Sequence, residues 1–135
     1  KMGVTATKEL KQLERYALKQ YPDLKKIKES MLVTDARQLD NPIIYANVDF
    51  EKLTLYAKEE IIGRNCRFLQ GAQTSQEKVQ EIRDALKTGE RKMIEILNYR
   101  KDGIPFWNKF EIMGLRADPK DKTLITHYIG IQHDI

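Results

Sequence analysis

One cysteine in 135 residues cannot close an internal disulfide. The lone thiol, Cys66, suits a reducing compartment, so a cytoplasmic location is expected. Histidine is almost as scarce: His127 and His133, both far along the chain from that thiol, are too few for a zinc site, and no metal is expected. No stretch approaches 18 consecutive apolar residues and no charged-then-apolar leader opens the chain, so neither a membrane span nor a signal peptide is expected. Seven glycines and four prolines are too few for collagen-like order, and 41% apolar residues against 33% charged ones exclude wholesale disorder. What is left has the size of one ordinary domain, able to bury about two-thirds of its unfolded surface.

An excess of one charge is also missing from most of the chain. The net charge of +4 lies within residues 1–30, and residues 31–135 are neutral. A neutral body is a poor electrostatic footprint for a phosphate backbone, so the body is not expected to bind nucleic acid.

Residues 1–30 read as a helical extension. Leu10, Ala17, Leu24 and Met31 recur every seven residues, with Leu13, Gln20 and Ile27 between them, a short heptad stripe. Pro22 interrupts it and opens a second short helix, with Tyr21 as the hinge. The stripe has two uses: packing back on its own domain, or pairing with a second copy.

Residues 31–135 have a different texture. Met31–Thr34 and Ile43–Ala46 are β-like, with a turn at Asp40-Asn41-Pro42 between them. Short helical pieces occupy 48–70, broken at Gly63 and stopped at Gly71. Thr74 or Ser75 caps a clearer helix that ends at Gly89 and carries Val79, Ile82, Ala85 and Leu86 on one face. Three longer strands, about 91–101, 104–116 and 123–133, follow, with reversals at Asp102-Gly103 and over 117–122. The pattern predicts an α+β domain on an antiparallel sheet.

Two features carry chemistry. In Gly63-Arg64-Asn65-Cys66-Arg67-Phe68-Leu69-Gln70-Gly71 a thiol stands between arginines, which favours its thiolate, and Gln70 shares its helical face. A lone cysteine also reads as a small buried apolar residue. His127 and His133 share one face of the last strand while Gln132 points to the other, which argues against a Cys–His hydrolase if the pocket lies on the Gln132 side. The second feature is amides among apolar strand residues: Asn98 beside Ile94 and Ile96, Asn108 beside Phe106, Phe110 and Ile112, and Gln132 beside Gly130. On a core-facing side they need a polar, planar partner, such as a flat heteroaromatic ring that Gly130 lets close to the backbone; at strand ends, water would serve. A two-residue loop at Asp102-Gly103 would set Asn98 opposite Trp107 and turn Asn108 away. A shared face therefore requires an odd-length loop or a bulge near Ile104-Pro105.

Gly63–Gly71 resembles the signature of LOV domains, the flavin-binding blue-light branch of the PAS superfamily. Further similarity runs through Asp40-Asn41-Pro42-Ile43-Ile44-Tyr45, Ile82-Arg83-Asp84-Ala85, Leu97-Asn98-Tyr99, Asp102-Gly103, Phe106-Trp107-Asn108 and Gly130-Ile131-Gln132. It covers 31–135 and leaves 1–30 outside. The resemblance implies a PAS-like fold, a five-stranded antiparallel sheet with short helices enclosing a flavin. It implies that Cys66 forms a reversible bond to the flavin in light. Arg67 and Arg83 would hold its phosphate. Asn65, Gln70, Asn98, Asn108 and Gln132 would bond its polyol chain and polar ring edge, and Phe68, Leu69 and Phe110 would wall it. Glu60 and Lys101 match a surface ion pair of the family. Asp49 and Leu55 depart from its pattern, Leu55 standing where glycine is frequent. With no insertion between Gln70 and Arg83, FMN is expected rather than FAD.

The expected function is a blue-light switch signalling through Gln132 and the sheet to its flanking helix, not an enzyme in itself, and a homodimer through residues 1–30. The alternatives are a PAS-type small-molecule or dimerisation module without photochemistry, and a redox or hydrolytic cysteine enzyme.

Overall fold

Alternation of apolar and polar residues at period two becomes sheet in the computed structural model, which describes residues 8, 11, 12, 15, 18, 19, 21–26, 28–116, 118, 120, 121 and 123–135, for Leu24 the backbone alone. Strands β1 (Ser30–Asp35), β2 (Ile43–Ala46), β3 (Lys92–Tyr99), β4 (Pro105–Leu115) and β5 (His127–Asp134) form one sheet in the order β2-β1-β5-β4-β3. Every neighbouring pair is antiparallel. Between β2 and β3 the chain crosses one face of the sheet as α1 (Val48–Thr54), α2 (Lys58–Ile61), a 3-10 turn at Cys66–Leu69 and α3 (Gln76–Thr88). This is the expected α+β architecture. Leu32 opposite Gly130 joins first strand to last, so the β1–β2 hairpin and the β3–β4–β5 meander become one surface.

Each face of that surface buries its own cluster. Inside, Ile94, Ile96, Phe110 and Ile112 pack with Val79 and Ala85 of α3, and Leu32 with Ile43, Phe50, Ile61 and Leu69. Outside, Val33, Met113, Leu115, Ile129 and Ile131 are packed by Leu18 and Tyr21 of the extension. Burying a side chain of this size contributes about 1.5–3 kcal/mol.

Local chemistry sets the ends of the elements. Ser75 caps α3 by accepting from the Lys78 N–H, and Gly89 closes it with φ at 71°. Asn47 caps α1, its Oδ1 accepting from Phe50 N and also from Met31 N, which ties the helix to β1. β3 stops at Tyr99 rather than 101 because Asp102 Oδ1 accepts from Ile104 N and Arg100 N–H bonds Ile104 O, closing the reversal early. β5 begins at His127 rather than 123, after Asp121 has taken the Thr123 N–H and hydroxyl into a turn.

Leu55 explains its own departure from the family pattern. It ends α1 with φ at 65°, the left-handed region, where glycine avoids the clash of a Cβ. The side chain is half exposed, so little burial offsets that strain. Leu55→Gly is expected to raise stability by about 1 kcal/mol, read as a higher denaturation midpoint with unchanged slope.

In the extension, residues 8, 11, 12, 15, 18 and 19 are helical, and Pro22–Lys26 forms a 3-10 turn rather than an α-helix. Leu10, Leu13, Ala17, Gln20 and Ile27 of the heptad stripe lie outside the described residues, and Met31, counted in that stripe, is a β1 residue. Asp23 pairs with both terminal nitrogens of Arg91 at 3.2 and 2.8 Å, and Arg91 also holds the buried Glu111. Leu18, Tyr21 and Asp23 therefore hold this part of the extension against its own sheet.

Candidate functional site

The inner face of the sheet and the helices opposite it enclose a cavity of about 190 Å³. β3 and β4 bring their amides together there because the register pairs Ile96 with Asn108 and Asn98 with Phe106. That parity comes from an odd, three-residue loop closed by the Arg100–Ile104 pair, so the regular two-residue hairpin does not form. Asn108 Nδ2 donates to Asn98 Oδ1 at 2.9 Å, and both side chains are buried. On β5, Gln132 Oε1 accepts from the Ser30 hydroxyl at 2.7 Å.

These bonds leave specific atoms over. Asn108 Oδ1, Gln132 Nε2, Asn41 Oδ1 and Thr34 Oγ1 are buried without a partner, and all four residues line the cavity. An orphaned buried polar group costs about 1–3 kcal/mol, so four around one space describe a ligand with both donors and acceptors on its edge. Apolar faces supply the rest: Leu69, Phe110, Ile96 and Ile112 line the same space. A flat heteroaromatic ring with polar edges fits this donor and acceptor set.

Of the residues expected at the site, Asn65, Cys66, Arg67, Leu69, Gln70, Arg83, Asn98, Asn108, Phe110 and Gln132 line the cavity. Phe68 does not. Its ring stands edge-on to Tyr56 with centroids 4.9 Å apart, under the Arg64 guanidinium, so it supports the 3-10 turn from behind. Gly130 lines the cavity, but a Cβ there would fall 2.7 Å from Phe110 Cε1. The close approach this glycine permits is that of Phe110. Thr34 and Asn41 were missed by the sequence reading: neither lies in the cysteine motif or among the strand amides.

Cys66 also departs from expectation. Its turn is 3-10, Gln70 beyond it is extended, and burial pushes the thiol up, outweighing the Arg67 charge. The shift favours the thiol over the thiolate. Arg67 is turned away, forking onto Asp40, while Asn65 caps the turn by accepting from Arg67 N at 2.9 Å. His127 contacts Thr126 and Arg37, and His133 pairs with Glu29; neither lines the cavity, so no imidazole serves Cys66 as base. The Glu60–Lys101 pair is present at 2.6 Å, and Lys101 holds the Glu60 carboxyl below its usual range. Among the described residues no helix is long and apolar enough to cross a membrane, and no cluster suits a metal ion.

The comparisons agree with this geometry. A family model for the PAS domain matches residues 28–135. Phototropin-1A of Oryza sativa subsp. japonica is 42% identical over 111 residues, 82% of this chain and 12% of its own length. Blue-light-activated histidine kinase 1 of Erythrobacter litoralis is 44% identical over 106 residues, 78% of this chain and 29% of its own. The chain thus spans less than a third of either relative. The dark structure of the Aureochrome1 LOV domain superposes with a TM-score of 0.79 at 42% identity, covering 86% of this chain and 82% of that one. A chain with this sheet and this cysteine turn, matched over most of a solved LOV domain, belongs to the PAS family and, within it, to the LOV domains of blue-light photoreceptors.

Proposed function

We propose that this LOV domain holds FMN in the described cavity and acts as a reversible blue-light switch centred on Cys66. The observation that carries the reading is the set of four orphaned buried polar atoms around a cavity that Cys66 also lines. When bound, the flavin supplies absorption of blue light and an excited ring whose central carbon and neighbouring nitrogen can take the thiol's sulfur and proton. Desolvation raises the pKa of Cys66, which favours its keeping that proton in the dark. Holding the sulfur beside its target makes the step effectively unimolecular, worth up to about 7–11 kcal/mol of barrier in favourable systems. Asn98, Asn108 and Gln132 orient the polar ring edge, Asn65 and Gln70 border the polyol, Leu69 and Phe110 hold the ring faces, and Arg67 and Arg83 meet the phosphate. The domain's own work, on this reading, is sensing.

Residues 1–30 are the proposed output element, apart from the sensor body of 31–135. They act either as a homodimer contact or by repacking on the domain's own sheet, and sedimentation in dark and light separates the two. Purified protein is expected to be yellow, to lose its blue absorption band under blue light and to regain it in darkness. Released chromophore is expected to run as FMN in chromatography; a colourless protein that takes up no flavin would refute the reading.

A further inference from the structure

The two arginines that line the cavity differ in the partners of their guanidinium groups. Arg83 Nη1 lies 3.5 Å from Gln80 Oε1, a long contact to a neutral amide. Arg67 is forked onto a carboxylate, with Nη1 donating to Asp40 Oδ2 at 2.8 Å and Nη2 to Oδ1.

Asp40 is held in place to do this. Its backbone is left-handed, φ 67°, and that of Asn41 follows at 48°. The Asp40 carbonyl accepts from Asn65 Nδ2 at 2.8 Å, and Asn65 Oδ1 accepts from Arg67 N, so Asp40, Asn65 and Arg67 form a closed ring of bonds. Asn41, next in the chain, turns its side chain to the cavity and leaves Oδ1 without a partner. On the flavin reading the acid thus sits beside Arg67, the arginine assigned to the phosphate, as an exposed ion pair at the rim of the cavity.

A phosphate monoester carries about −1.5 to −2 charges at neutral pH. It must share Arg67 with Asp40 and also approach a like charge. An unphosphorylated polyol presents a neutral hydroxyl there and is nearly indifferent to that charge. We propose that Asp40 is a specificity-determining residue of the flavin site: by forking Arg67, it holds down the preference for a phosphorylated flavin over riboflavin. The inference rests on the flavin reading above.

The test titrates the full chain, stripped of chromophore, with FMN and with riboflavin, following flavin fluorescence. Asp40→Asn keeps a side chain that tolerates the left-handed backbone. It is expected to raise the FMN-to-riboflavin affinity ratio about fivefold or more, through tighter FMN and unchanged riboflavin. In an Arg67→Gln background only the direct like-charge repulsion remains, so the same change is expected to raise the ratio by clearly less, which separates the ion pair from any reshaping of the loop. A ratio that stays level or falls in Asp40→Asn overturns the proposal, as does a gain of undiminished size without Arg67. Wild-type protein that binds neither flavin refutes the flavin reading itself, an outcome distinct from flavin binding with an unaltered ratio.

Discussion

Cys66→Ala is expected to keep the flavin and abolish the reversible loss of blue absorption. The residue lines the cavity but supplies none of its orphaned polar atoms, so removing the thiol leaves the chromophore's partners intact. What disappears is the only thiol in the chain. With that route closed, excited flavin returns by emission, and fluorescence is expected to be severalfold brighter and to persist under illumination. The neutral state of Cys66 adds a second expectation. Its pKa is raised, so the thiol form prevails through neutral pH and is lost only on the alkaline side. Bleaching by light should therefore be flat with pH across the neutral range, and an ordinary electrophile should label the wild-type thiol slowly in the dark. Reversible bleaching that survives in Cys66→Ala would remove Cys66 from the mechanism.

The order of elements was legible because each carries local punctuation: Ser75 and Gly89 around α3, Gly63 before the cysteine turn, and period-two alternation along β3 and β4. The shared face of Asn98 and Asn108 was legible only as a condition, since parity across a hairpin depends on a loop length that sequence leaves open. Arg100 pairing with Ile104 settled it. The state of Cys66 went the other way. Flanking arginines suggested a thiolate, but adjacency in sequence does not set direction in space. Arg67 turned to Asp40 and Arg64 to Phe68, and desolvation raises the thiol's pKa. Phe68 stands outside the cavity lining for the same reason: on a 3-10 turn, consecutive residues point apart, and its ring packs against Tyr56 while Leu69 lines the cavity. Thr34 carried no signal, and Asn41 showed only as part of the Asp40-Asn41-Pro42 turn and its family likeness, not as a site residue. A threonine in a strand and an asparagine in a turn are ordinary, and only the burial of their oxygens marks them.

Gln132→Leu is expected to leave light-driven bleaching intact and to cut the structural response severalfold. In the dark arrangement the amide is divided: Oε1 accepts from Ser30 Oγ, and Nε2, buried without a protein partner, belongs to a residue lining the cavity. When Cys66 gives up its proton inside the cavity, a neighbouring acceptor becomes a donor, and Nε2 would then face a donor. Reversal of the Gln132 amide restores the bond, at the cost of presenting Nε2 to Ser30. Ser30 must then accept where it had donated. It is the first residue of β1 and follows Glu29, which pairs with His133 beside Gln132 itself. The change thus lands at the junction of sheet and extension, whose docking rests on Asp23–Arg91 and on Tyr21 against the outer face. One hydrogen bond of about 1 kcal/mol shifts such an equilibrium about fivefold, enough to redistribute a marginal contact. Leucine cannot reverse, so the thiol chemistry would proceed without this consequence. Hydrogen exchange over residues 21–35 and sedimentation, each in dark and light, are the measurements. Ser30→Ala is expected to fall between wild type and Gln132→Leu, because the amide can still turn but loses the partner that reports it. A Gln132→Leu protein whose extension responds to light as fully as wild type would move the signal off β5.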